Sequence, residues 1–188
     1  MTGVFPAFLR IHPSGTHFPE NLVPDALHDL LEGCCKYSLQ SLLKWSRTSY
    51  GLSWNEMNEA INEFRKTADR LEKHHSLPLP TFRDNNFTCH QTASQWRILC
   101  TRLPFIMKKT RVGAHESFFQ SEQYQNFLYL IRMLAIAASP ILTPDDINQF
   151  QIISEKYLKT TADLYGADAV KNKLHHTMHY AGESSITL

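Results

Sequence analysis

No apolar run in this sequence is long enough to cross a bilayer. The longest, MLAIAASPIL at 133–142, is broken by Pro140 and falls short of the roughly 20 residues that a spanning helix needs. The opening MTGVFPAFLRIHPSGTHF has no basic segment leading into an apolar core, so it does not read as a secretory signal. Cysteine is sparse. The four, at 34, 35, 89 and 100, have neither the density nor the spacing of a disulfide framework, which points to a reducing compartment. The sequon Asn86-Phe87-Thr88 is the one feature in the other direction. Net charge is nearly absent as well. At +1 the chain exerts no global pull on nucleic acid or an anionic membrane, so any such contact needs a local patch. There is no glycine-rich phosphate loop, no GxSxG and no HExxH, and no base is positioned by sequence beside Cys34 and Cys35. An intracellular protein, nuclear or cytoplasmic, with no membrane partner, is expected.

What is present is the composition of a globular chain. With 43% hydrophobic and 20% charged residues in 188, it is long enough to bury a core. No segment alternates at period two, so strands are not expected. The expected fold is all-α, an irregular bundle of about six helices. Residues 1–23 form an irregular lead-in with Pro6, Pro13 and Pro19, residues 24–182 the helical domain, and residues 183–188 a tail.

The first helix is expected from Pro24 to about Trp45, with Leu27, Leu30, Leu31, Cys34, Leu39, Leu42 and Leu43 on one stripe. A second starts at SWNE, where Ser53 and Glu56 have the spacing of a reciprocal capping box, and runs to about Leu71. HHSLPLPTFRDNNF then reads as a loop. The third starts at TASQ with a second such box, Thr92 and Gln95, and Pro104 is expected to kink or split it. The fourth, from about Phe118 to Ser139, is apolar over much of its circumference and should be central. TPDD opens the fifth, with Thr143 as cap, Pro144 in the first turn and two acids against the helix dipole, and Gly166 is placed to end it. A last helix is expected over 168–180.

Three clusters carry chemistry. Asp25 and His28, with Asp29 and Glu32, share a helix face at spacings of three and four. They suit a metal site, a proton relay or a phosphate contact; equally, the acids can satisfy a helix start around a half-buried histidine. His175 and His179, four apart in KLHHTMHY, present the geometry of two of zinc's four ligands, or a polar terminal helix in a chain with ten histidines. The stretch 85–115 contains no Asp or Glu but holds Arg97, Arg102, Lys108, Lys109 and Arg111. Such a block can lie along a DNA backbone or be a solvated helix face.

The order of the short motifs resembles eukaryotic cut-and-paste transposases of the CACTA and related superfamilies, and transposon-derived reading frames of animals. PDALHDLLEG is similar to the family's motif of an Asp or Cys, two residues and a His, matched by Asp25 and His28. TASQWRILCTRLPFIM, FLYLIRMLAIAASPILTPDDI and YLKTTADLYGADAV resemble later blocks in the same order, and His175 and His179 match a paired-histidine element. The similarity spans about residues 22–180. It implies the helical insertion between the second and third acids of a DDE catalytic core. It also implies half of a zinc site at His175 and His179, since a similar pair in the V(D)J recombinase catalytic subunit binds zinc with two cysteines.

On the same resemblance, the family's zinc cysteines and first two catalytic acids would precede Met1. The third acid would follow His179, where this chain reads YAGESSITL and Glu183 matches no motif. Two-metal phosphoryl transfer needs several converging carboxylates, so a catalytically incomplete, non-enzymatic piece of a transposase is implied. The alternative is a host-retained or decayed helical module that binds a protein partner without DNA activity. An insertion without its core would also expose apolar surface, so self-association is expected.

Overall fold

The computed structural model describes residues 27–71, 79, 81–82, 92–139 and 141–170, with 27–29 and 68–71 described by backbone alone. A π-helical segment, Leu27–Cys34, leads into α1 (Cys35–Tyr50). There follow α2 (Trp54–Leu71), α3 (Ala93–Met107), a 3-10 turn at Val112–Ala114, α4 (Glu116–Gln120), α5 (Glu122–Ala137), α6 (Pro144–Tyr165) and a 3-10 turn at Ala167–Ala169. The fold is all-α, with no strand among the described residues.

The stripe beginning at Leu30 explains how the first helical stretch enters the core. Leu30, Leu31, Cys34, Cys35, Leu39, Leu42 and Leu43 are all buried, and each such leucine contributes about 1.5–3 kcal/mol on leaving water. The helix runs past Trp45 to Tyr50 and stops at Gly51, whose φ of 69° is left-handed and whose amide donates to the carbonyls of Arg47 and Ser46. That is the glycine stop of an α-helix. Buried Ser46 returns its hydroxyl to the Leu42 carbonyl at 2.8 Å, so no polar atom of its side chain is stranded.

α5 is central, as its apolar circumference implies: it packs against α1, α3, α4 and α6. It is, however, not the start of one long helix from Phe118. Ser121 is extended (φ −65°, ψ 149°) and its hydroxyl accepts from the Tyr124 amide. A competent N-cap there divides the expected helix into α4 and α5. Pro104 does not split α3, which continues through it to Met107. Lacking an amide, Pro104 cannot donate to the Cys100 carbonyl one turn back, so α3 passes through it at the loss of one ladder bond.

Both ends of the capping chemistry at α3 and α6 are as the sequence implies. Gln95 and Thr92 cap each other. Asp146 accepts from the Thr143 amide at 2.9 Å and hydroxyl at 2.7 Å, which holds its carboxyl below the usual aspartate range. At α2 only half of the expected box forms. Ser53 accepts from the Glu56 amide at 3.2 Å, but the Glu56 carboxylate turns away from it to Arg111. At the far end, 167–169 is a 3-10 turn, and the rest of the expected last helix lies outside the described residues.

Two further contacts shape the outside of α2. Asn58 donates to the Phe82 carbonyl and accepts from its amide, each at 2.8 Å, and the Arg65 guanidinium donates to the Leu79 carbonyl. Leu79 and Phe82 are thereby buried against the helix, with Phe82 stacked on Trp54 at 5.3 Å. Beyond α3 the chain turns so closely that a Cβ at Gly113 would lie 2.1 Å from the Met107 carbonyl oxygen.

Candidate partner-binding face

The acid-free block divides into two sets once folded. Lys109 forms an ion pair with Glu63 of α2. Arg111 places Nε 3.2 Å from Glu56 Oε2, gives its backbone amide to the same carboxylate, and donates Nη2 to the Gly51 carbonyl at 3.2 Å. Surface pairs of this kind are each worth at most about 1 kcal/mol, but they spend the two cations on the fold. Arg97, Arg102 and Lys108 are exposed, and among the described residues no side chain pairs with their head groups.

Arg97 and Arg102 border an open groove of about 290 Å³ between α3 and α5. One wall is Arg97, Ile98, Thr101 and Arg102; the other is Ile131, Leu134, Ala135 and Ala138. Ile98 and Ile131 are half-buried, Leu134 is buried, and the two alanines are exposed. The wall-forming helices have one carboxylate between them, Glu122, nine residues before Ile131 and so about 14 Å along the helix. The α5 wall of this groove was missed by the sequence reading. The available signal was the acid-free run 123–144, which carries Arg132 alone among charged residues.

A second recess lies between α1, α5 and α6. Tyr37, Ser38, Gln123, Asn126, Thr161 and Tyr165 contribute to its lining, and with about 10 Å³ it has room for roughly one water. Asn126 donates to Thr161 at 2.9 Å inside the protein, while its Oδ1, also buried, accepts no hydrogen bond among the described residues. Burial pushes the Tyr165 phenol up to about 12.

Cys34, Cys35 and Cys100 are buried thiols near wholly buried Tyr157, whose hydroxyl pairs with that of Ser38. Burial, then the neighbouring Cys100, raises the Cys35 thiol well above its usual value. A buried thiol held protonated in this way is a poor nucleophile.

The remaining sequence candidates are not brought together by anything the structure describes. His28 is in the first π-helical turn by its backbone; its side chain and Asp25 lie outside the described residues, as do His175 and His179. Among the described residues no three His, Cys, Asp or Glu side chains group to hold a metal ion, and no helix is long and apolar enough to cross a membrane. No protein-family model matches the chain, and no curated protein or solved structure shows significant similarity to it.

Proposed function

We propose that this chain is a non-catalytic helical module of transposase descent that holds an anionic partner on the exposed face of α3. The observation that carries the binding role is the division of the basic block. Two cations are consumed by α2, while Arg97 and Arg102 have no partner among the described residues and stand beside an apolar groove.

The lineage is supported by the order of the quoted motifs, three of which fall on α3, α5 and α6, and by the all-α fold that such an insertion implies. Under this reading Asp25 and His28 are the residues through which the module meets a catalytic core. Half of a zinc site at His175 and His179, a nuclear location and self-association belong to the same proposal. Bound zinc in the purified protein that disappears in His175→Ala/His179→Ala would support it.

The second reading is a DNA-backbone contact, favoured by the absence of any acid from 85–115. Salt dependence separates the two sets of cations. Binding of labelled duplex DNA through three cations has a log–log salt slope of about −2.7, whereas engagement of all five gives about −4.5.

The test of the main reading uses the full chain with labelled duplex DNA and with poly-glutamate, each with added magnesium or manganese. Binding to at least one polyanion, weakened in Arg97→Glu/Arg102→Glu, with no strand cleavage, is expected. Metal-dependent nicking that is lost in Asp25→Asn, or no affinity for either polyanion, would overturn it.

A further inference from the structure

We infer that the groove between α3 and α5 receives an acidic amphipathic helix from a partner protein. Its apolar side chains would lie on the floor and its carboxylates on Arg97 and Arg102. The inference rests on the partner-binding reading above and names the chemistry of that partner.

Shape comes first. At about 290 Å³ and open to solvent, the groove lies just below the roughly 300–1,000 Å³ of small-molecule clefts. A trough of that form suits a row of side chains from a docked helix. Ile98, Arg102 and Phe105 follow one another at steps of four and three along α3, and Phe105, 53% exposed, extends the apolar strip beyond the groove. From Ile98 to Phe105 is about 10.5 Å, two turns of helix, so the partner contributes about two turns. Ala135 and Ala138 keep the opposite wall low enough for another backbone to approach.

Charge decides among occupants. The guanidinium fork matches a carboxylate in two-point contact, and with no acid nearby on either wall nothing within α3 or α5 competes for it. DNA phosphates would meet the arginines but leave the Ile98, Ile131 and Leu134 floor wet. An uncharged apolar helix would cover the floor and leave two arginines unanswered.

The probe is a blocked synthetic helix of about 18 residues, with Leu at i, i+4 and i+7 and Glu on the flanks. It is compared with a shuffled peptide of the same composition and with duplex DNA. One-to-one binding is expected, with amide shifts confined to α3 and the C-terminal half of α5. Arg97→Glu/Arg102→Glu should weaken it about tenfold or more. Ala135→Trp, at an exposed position that fills the trough, should weaken it comparably. Lys66→Glu/Lys159→Glu, an equal change of net charge elsewhere, should leave it within about twofold, and circular dichroism checks that every variant folds.

If the shuffled peptide binds equally, or DNA alone binds, the inference fails while the broader reading stands. If neither peptide, poly-glutamate nor DNA binds, both fail. A groove filled by a second copy, seen as the same amide shifts appearing with protein concentration alone, also overturns the inference.

Discussion

Asn58 holds both peptide groups of Phe82, donating to its carbonyl and accepting from its amide at 2.8 Å each. One amide side chain thus does for an irregular segment what a neighbouring strand does in a sheet. Asn58→Ala removes the side chain that bonds both groups and should cost about 1–3 kcal/mol in urea unfolding. Asn58→Asp keeps the acceptor but sets a carboxylate against a carbonyl, and should do no better. Trp54 stacks on Phe82, so its fluorescence should change in both. Wild-type stability in Asn58→Ala would refute the clamp.

Gly113 is constrained by space. The nearest atoms to an added methyl would be the Met107 carbonyl oxygen at 2.1 Å and Lys108 Cα at 2.6 Å, both backbone. Neither can swing aside, so Gly113→Ala should destabilise by about 1–3 kcal/mol. Thermal unfolding measures it, and an unchanged midpoint would mean that the turn gives easily.

The buried thiols make a chemical prediction. Cys34, Cys35 and Cys100 are inaccessible, and burial opposes the thiolate at Cys35. No more than one of the four cysteines should react quickly with iodoacetamide in the native protein, and all four after unfolding. Mass spectrometry of the native adduct showing two or more rapid additions would contradict the packing.

Tyrosine ionisation sets the alkaline limit. Burial raises Tyr165 to about 12, Tyr157 well above its ordinary range, and Tyr124 in the same direction. Folding therefore holds these protons where the unfolded chain, near pH 10, releases them. Their contribution is fully present below about pH 10 and declines as pH rises toward 12 and beyond. Phenolate absorbance should show a late fraction that titrates with unfolding. A single transition near pH 10 in a protein that remains helical would be the contrary result.

The helix starts were legible where their chemistry is local. Thr92 with Gln95, and Thr143 with Pro144 and Asp146, carry cap, partner and first turn within four residues. The reading failed where a distant group competes. Glu56 is correctly spaced for Ser53, but Arg111, 55 positions away, captures its carboxylate. Periodicity also overrode a local sign at Ser121, a good cap followed by an acid, because the apolar pattern seemed to run through it. The basic block was visible, but not its division, since which cations are spent depends on α2 packing beside α3. The groove lies further from view, for it belongs to two helices whose adjacency no spacing in the sequence encodes.

The connection from Met107 to Glu116 is fixed at both flanks: Gly113 sits against the backbone just behind it, and Arg111 is moored to the start of α2. One amino acid inserted between Met107 and Arg111 would shift the mooring and the close approach together.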